Sequence, residues 1–135
     1  MSTTAPVIPA TQLSISLTYR NVEDAIRWFS EVLGFSVFQK FEDEGKVRGA
    51  IVTSGNARFV LNQDDGKLGW DRVKGQGLLI TINVADLAAV DAAAERVRAS
   101  GITLIDEPAD RPWGMRMFQF RDNDGFKFSI SAPLR

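Results

Sequence analysis

The chain has 135 residues, of which 44% are hydrophobic and 24% are charged, a balance typical of one soluble globular domain. Its formal net charge of −1 gives no reason to expect nucleic acid or an anionic membrane as a partner. The sequence contains no cysteine and no histidine, which excludes disulfides, thiolate metal sites and every Ser-His or Cys-His nucleophile pair. The absence of histidine also removes the commonest metal ligand and the usual general base near neutral pH.

The N-terminal segment, residues 1–10, contains prolines and small polar residues, and we predict that it is a loose extended arm. It lacks the charged and apolar regions of a secretion signal. No part of the chain reaches the roughly 20 consecutive apolar residues that span a bilayer. We therefore expect a cytoplasmic protein.

The first half of the chain, residues 12–63, contains the pattern of one compact module. Apolar and polar residues alternate over 13–19, which predicts a strand. Asn21 then has the position of a helix N-cap, and apolar residues at helical spacing predict a helix over 22–33 that a glycine ends. Three further strands are predicted over residues 35–41, 47–53 and 57–63. The order of this half is βαβββ.

The same order of elements recurs after a polar, glycine-spaced linker over residues 64–77. A strand is predicted over 78–84, and Asp86 caps a predicted helix over 87–100. The last strands are predicted over 102–105, 115–120 and 126–131, with a loop over 107–114 and a tight turn over 122–125. The chain is thus predicted to be one α+β domain of two pseudo-repeated modules, residues 12–63 and 78–131. A general α+β sandwich with coincidental symmetry is the alternative.

Two motifs carry a resemblance to a known family: NVEDAIRWFSEVLGF, residues 21–35, and PWGMRMFQFRDNDGFKFSI, residues 112–130. They resemble the first-helix signature and the closing hairpin of the vicinal oxygen chelate superfamily, which includes glyoxalase I, extradiol dioxygenases, fosfomycin resistance proteins and bleomycin resistance proteins. The Pro-Trp-Gly entry of the second motif is most similar to the bleomycin-resistance and glyoxalase-like branch. Asn123 replaces the proline common in the family's Asp-Pro-Asp-Gly turn. The resemblance implies one curved mixed sheet around a central cleft, with the helices on its convex face.

Enzymes of this superfamily bind a divalent metal with one His, Glu or Gln from each of four strands. By analogy with the family, the corresponding positions are Ser14, Val60, Leu79 and Ser129. A shift of one residue on the fourth strand would bring in Asn62, and a single neutral amide still makes no site. Because hydroxyl and apolar side chains cannot replace imidazole or carboxylate around such a cation, we expect no metal and no other cofactor.

Strand alternation divides the side chains between two faces. One set should pack on the helices: Leu13, Ile15, Leu17, Phe59, Leu61, Ile80, Ile82, Val84, Phe126, Phe128 and Ile130. The other face, concave in the resembling fold, should carry Ser14, Ser16, Thr18, Arg58, Val60, Asn62, Leu79, Thr81, Asn83, Lys127, Ser129 and Ser131. Small hydrogen-bonding side chains with two cations suit a sizeable ligand that makes a few oriented polar contacts. A merely solvated sheet face is the alternative interpretation.

Further candidate ligand contacts lie outside that face. Trp70 and Trp113 fall in predicted loops, where aromatic side chains either stack on planar ligands or plug the edge of a sandwich. Arg116 has the chemistry to clamp a carboxylate or phosphate, with a surface ion pair as the alternative. The acidic hairpin turn at residues 42–44 would attract a cationic drug, or it is simply solvated.

The resemblance implies a non-catalytic protein that sequesters an aromatic or antibiotic-like small molecule. In the bleomycin-resistance branch two chains pair and share clefts, so we expect a homodimer, which would also bury open edge strands. The alternative is a metal-independent lyase, isomerase or hydrolase that uses Arg116, Lys127 or an acid of the Glu42 hairpin. A module whose cleft serves only contact with a partner is a third interpretation.

Overall fold

The computed structural model describes residues 11–67 and 74–135, so the predicted N-terminal arm and Trp70 lie outside the described residues. The first module contains β1 (Ser14–Tyr19), α1 (Val22–Glu31), β2 (Ser36–Asp43), β3 (Lys46–Ser54) and β4 (Ala57–Gln63). The second contains β5 (Ile80–Asn83), α2 (Leu87–Ala99), β6 (Asp106–Arg111), β7 (Met115–Arg121) and β8 (Lys127–Pro133). The predicted α+β class with two βαβββ modules is confirmed.

Both helices begin at the predicted caps. The side chain of Asn21 accepts a hydrogen bond from the Asp24 N–H at 3.1 Å, and that of Asp86 accepts one from the Ala89 N–H at 2.8 Å. Each bond satisfies an N–H that has no partner inside its helix, which fixes the start of the helix. Neither helix of the described chain has the length and hydropathy needed to cross a membrane.

The strands form two four-stranded sheets, with the orders β1-β4-β3-β2 and β5-β8-β7-β6. In each module the first and last strands pair in parallel, and the remaining neighbours pair antiparallel. The expected curved sheet is therefore divided between the modules, and the described residues show no ladder between β1 and β5. Each of these two strands keeps one open edge within the described part of the chain.

One aromatic core joins the two modules. Helix α1 packs on its own sheet, where the rings of Phe29 and Phe59 lie 5.2 Å apart. It also reaches the second sheet, because the Trp28 ring lies 5.8 Å from Phe120 and 6.2 Å from Phe128. Phe59 of β4 and Phe128 of β8 approach to 6.3 Å. The helix-covered faces of the two sheets therefore turn toward each other and share one core, and their opposite faces point apart.

Nearly all of the predicted core residues contact this interior. Leu17, Phe59, Leu61, Ile80, Phe126, Phe128 and Ile130 are buried, and Ile15, Ile82 and Val84 pack against them. Leu13 is the exception, since it is 74% exposed and lies outside the core. It precedes Ser14, the first residue that pairs with β4, so neither the sheet ladder nor the core covers it.

The strand β6 differs from the prediction. Residues 102–105 form no strand, and the strand lies instead over 106–111, most of which was predicted to be a loop. Its pairing with β7 shifts register between Asp106 and Ala109, on either side of Pro108. Proline lacks the N–H that a ladder requires, but it is tolerated at a bulge on an edge strand, and β6 is an edge strand.

Polar contacts join the modules at one end of the core, and we call the residues Tyr19, Arg20, Lys74, Asp122 and Asp124 the polar junction. The Tyr19 hydroxyl donates to Asp122 at 2.8 Å. The Asp124 carboxylate accepts from the Arg20 N–H and from the ammonium of Lys74, both at 2.8 Å. Burial raises the pKa of Asp122, while burial and the neighbouring Asp122 charge raise the pKa of Tyr19. The junction ties the end of β1 to the turn before β8.

Candidate functional site

The predicted lining residues lie on the two faces that point away from the core. The first polar face consists of side chains of β1 and β4 that alternate with core residues: Ser14, Ser16, Thr18, Arg58, Val60 and Asn62. The second polar face consists of side chains of β5 and β8: Thr81, Asn83, Lys127, Ser129 and Ser131. Leu79 lies just before β5 and is exposed. One chain alone therefore does not bring the two halves of the predicted lining together.

Hydrogen bonds hold the small polar side chains of the second polar face in place. The hydroxyl oxygens of Thr81 and Ser129 lie 2.9 Å apart. Ser131 donates its hydroxyl to the side-chain oxygen of Asn83 at 3.0 Å. Both serines are buried by their neighbours in the sheet. The buried serines hold the exposed side chains of Thr81 and Asn83 in place, which lowers the entropy lost when a ligand binds to these two groups.

The strand β2 adds two aromatic side chains to the first polar face, and neither was among the predicted site residues. The guanidinium of Arg58 lies over the ring of Phe38, 5.7 Å from its centroid. Phe41 lies opposite Gly49 on β3, and a Cβ at Gly49 would lie 3.7 Å from the Phe41 ring. Phe38 is 65% and Phe41 41% exposed. A register shift between Val37 and Gln39 explains why simple alternation did not place Phe38 on this face.

Strand β3 extends the first polar face, and strand β7 extends the second. Beside β4, the first polar face continues with Gly49, Ile51 and Thr53. Beside β8, the second continues with Met117, Gln119 and Arg121. In the sequence of β7 these residues alternate with the aromatic Phe118 and Phe120, which are buried, and this alternation could have predicted their place on the second polar face.

Arg116 lies away from both polar faces. This residue alternates with the buried Phe118 and Phe120 and therefore lies on the helix-covered side of its sheet. Its guanidinium donates to Asp91 of α2 at 2.9 Å and to Asp110 at 3.0 Å. Hydrogen bonds to these two carboxylates raise the pKa of Arg116. The alternative of a surface ion pair describes its contacts, and Arg116 does not belong to the polar faces.

The loop candidates occupy exposed turns. Trp113 lies in the turn between β6 and β7 and is 66% exposed, which leaves its ring available for a planar ligand or a second chain. Glu42 and Asp43 end β2, and Glu44 follows in the turn with a positive φ of 52°. All three acidic residues are exposed.

The residues at the four family metal positions do not fit a divalent cation. Val60 and Leu79 have no donor atom in their side chains, and the hydroxyl of Ser129 is bonded to Thr81 within the sheet. Ser14 supplies only a neutral hydroxyl. Within residues 11–67 and 74–135, no three His, Cys, Asp or Glu side chains are grouped as metal ligands.

A cavity of about 280 Å³ borders the first polar face at the open edge of β1. It is lined on one side by Ser16 and Thr18 and on the other by Gly75 and Leu78, which lie just before β5. Leu13, Leu78 and Leu79 are exposed near the starts of β1 and β5. Apolar side chains beside open strand edges are typical of surfaces that a further chain or a ligand covers.

Comparison with known proteins agrees with this architecture. The family model of the Glyoxalase/Bleomycin resistance protein/Dioxygenase superfamily matches residues 11–130. TioX from Micromonospora sp. ML1 is 22% identical over 93% of this chain and 100% of that one, with a TM-score of 0.71. A glyoxylase/bleomycin resistance protein/dioxygenase domain from Frankia sp. EAN1pec is 20% identical over 95% and 93%, with a TM-score of 0.75. Lactoylglutathione lyase from Agrobacterium tumefaciens is 16% identical over 93% and 96%, with a TM-score of 0.68. No curated protein sequence matches the chain significantly.

Proposed function

Because the chain belongs to the Glyoxalase/Bleomycin resistance protein/Dioxygenase superfamily, we propose that it is a non-catalytic protein that sequesters an aromatic or antibiotic-like small molecule. The observation that carries the proposal is the composition of the first polar face. Exposed aromatic rings lie there beside hydroxyl, amide and cationic side chains.

The first polar face has both kinds of contact that small-molecule sites use. Phe38 and Phe41 offer exposed ring surface on which a planar ligand can stack. Ser16, Asn62 and Arg58 offer polar atoms that orient it. Apolar surface supplies the binding free energy, and a few placed polar groups fix the orientation of the ligand.

A second copy of the chain would complete the cleft. The two polar faces point apart in one chain, so a two-fold axis can set the first face of one subunit opposite the second face of its partner. The open edges of β1 and β5 and the exposed Leu13, Leu78 and Leu79 support pairing at this place. Each dimer would contain two equivalent clefts.

The structure weakens the alternative of a metal-independent enzyme, because Arg116 was one of its candidate functional groups. Arg116 is bonded to Asp91 and Asp110 on the helix-covered side, so it cannot act on a ligand that is bound at the polar faces. This placement favours binding over acid–base chemistry among the hypotheses drawn from the sequence.

Calorimetric titration with several classes of polycyclic compounds, including an intercalating glycopeptide, tests the sequestering function. We expect saturable binding of at least one class, loss of that binding in Ser16→Trp, which fills the middle of the first polar face, and retention in Thr103→Trp, an exposed loop position. Flat titrations with every class would refute the function. Sedimentation at the same concentrations tests the dimer, and a monomer that binds with full affinity would refute the shared cleft.

A further inference from the structure

The positions of the cationic side chains carry an inference about the chemical class of the ligand. We infer that the cleft selects an aromatic anion, whose ring packs on Phe38 and Phe41 and whose carboxylate is bound by Arg58 and Lys127. This inference rests on the proposed binding function and deepens it.

Arg58 and Lys127 occupy equivalent places in the two modules. Arg58 directly precedes the buried Phe59 of β4, and Lys127 directly precedes the buried Phe128 of β8. In both strands the aromatic residue enters the shared core, so the preceding side chain points to the polar face. The pseudo-repeat thus sets one cation on each face, and a dimer with shared clefts would set both cations in every cleft.

Arg58 and Lys127 have no acidic partner, and they share this with four other arginines of the described chain: Arg48, Arg96, Arg121 and Arg135. Ion pairs hold Arg20, Arg27, Arg98, Arg111 and Arg116. Within the described residues, neither Arg58 nor Lys127 lies within ion-pair distance of a carboxylate. A cation without a carboxylate partner on a binding face is available to an anionic ligand.

The contact between Arg58 and Phe38 prepares the guanidinium for a carboxylate. Because the guanidinium lies over the ring, a cation–π interaction restrains it, and within residues 11–67 and 74–135 no hydrogen bond occupies its N–H groups. A planar guanidinium binds a carboxylate through two parallel hydrogen bonds. An aromatic acid would therefore meet a cation and exposed ring surface on one face.

The side chains of β1, β4, β5 and β8 on the two polar faces include two charged groups, Arg58 and Lys127, and both are cationic, although the whole chain has a formal charge of −1. Arg121 lies beside Lys127 and adds a third cation. The acidic Asp106 of β6 is neutralised by Arg111 at 2.9 Å. These cations favour an anionic ligand on the faces themselves, whereas the acidic turn that suggested a cationic drug from the sequence lies at the far end of β2.

Three naphthalenes with one ring system and different charges test the inference: 2-naphthoate, 2-naphthamide and 2-naphthylmethylammonium. By calorimetry at low ionic strength, we expect the carboxylate to bind about tenfold more tightly than the amide, and the ammonium to bind most weakly. In Arg58→Gln and in Lys127→Gln the preference for the carboxylate over the amide should fall toward one. Arg58→Lys, which keeps the charge, should recover part of it. Arg27→Gln, on helix α1, is the matched control and should leave the preference unchanged.

The outcomes separate the two proposals. Equal affinities for the three compounds, or an unchanged preference in both Gln variants, would overturn the inferred anion and leave the binding function intact. Saturable binding of none of the three would overturn the inference, while the binding function is decided by the titrations with the polycyclic classes. Far-UV circular dichroism and the midpoint of thermal unfolding establish that each variant is folded before it is titrated.

Discussion

The core between the sheets and the polar faces outside them are built from neighbouring residues of the same strands. In β8, Phe128 is fully buried between the modules, and the preceding Lys127 lies on the second polar face. The core contains aromatic rings from both modules, whereas the faces contain serines, threonines and cations. Along each strand, the residues that stabilise the core therefore alternate with the residues that are available for binding. Single substitutions can separate the two roles.

Truncation of the core should show the largest effect. Phe128 contacts the rings of Trp28, Phe29, Phe59 and Phe120. We expect Phe128→Ala to lower the free energy of unfolding by about 3–5 kcal/mol, because it leaves a cavity between the modules. Lys127→Gln, one residue away, should change it by no more than about 0.5 kcal/mol. Urea unfolding measures both, and similar losses in the two variants would contradict the division between core and face.

Disturbing a close backbone contact near the polar junction should give the second largest loss of stability. Gly75 has a φ of +76°, and a Cβ there would lie 2.1 Å from the carbonyl oxygen of Gly125. Gly77 has a φ of +69° with no atom near its Cβ position. Both Ala variants share the backbone penalty, so Gly75→Ala should be less stable than Gly77→Ala by about 1–3 kcal/mol. Equal urea midpoints of the two variants would show that the backbone at Gly75 does not pack against the turn at Gly125.

Removal of one hydroxyl tests the polar junction itself. Tyr19→Phe keeps the ring, which lies 5.2 Å from that of Phe126, and deletes only the donor to Asp122. We expect a loss of about 1–3 kcal/mol, because a buried acceptor loses a partner. A double-mutant cycle with Asp122→Ala, which removes the acceptor, measures the coupling of the pair by urea unfolding. Additive losses would show that the two side chains do not interact.

The dependence of stability on pH should give the smallest effect. Burial raises the pKa of Asp122 above its unfolded value of about 3.9, so the folded state binds more protons between the two values. In this window the Asp122 contribution to the free energy of unfolding falls as pH rises. Asp122→Asn removes this contribution. The unfolding free energy of the variant minus that of the wild type should therefore increase with pH, measured by urea unfolding from about pH 4 upward. A constant difference would contradict the raised pKa.

Much of the fold could be predicted because its signals are local. The caps Asn21 and Asp86 mark both helix starts with a hydrogen bond to a residue three positions later. Strand β6 could not be predicted, because Pro108 is a strand breaker except at an edge, and the sequence does not show which strand is an edge. The mutual orientation of the sheets depends on Trp28 meeting Phe120, a contact that no local pattern encodes.

The candidate site was predictable where simple alternation holds. In β1, β4 and β8 the polar residues lie on the face opposite the core, as expected. Phe38 was missed because a register shift moves it to the same face as Arg58. The surface ion pair predicted as one role of Arg116 agrees with its bonds to Asp91 and Asp110, and its alternation with Phe118 and Phe120 places it on the helix-covered side. That one chain presents two separate faces could not be predicted, since it follows from packing between the modules.

The polar junction also bears on how the protein is made. It joins residues far apart in the chain, since Tyr19 and Asp122 are separated by 103 positions and Arg20 and Asp124 by 104. While a ribosome synthesises the chain, the aromatic side of the first module emerges long before β8 is available to cover it. Contacts of such high sequence separation slow folding and leave apolar surface exposed to aggregation. We therefore expect the nascent first module to depend on chaperones until the second module has emerged.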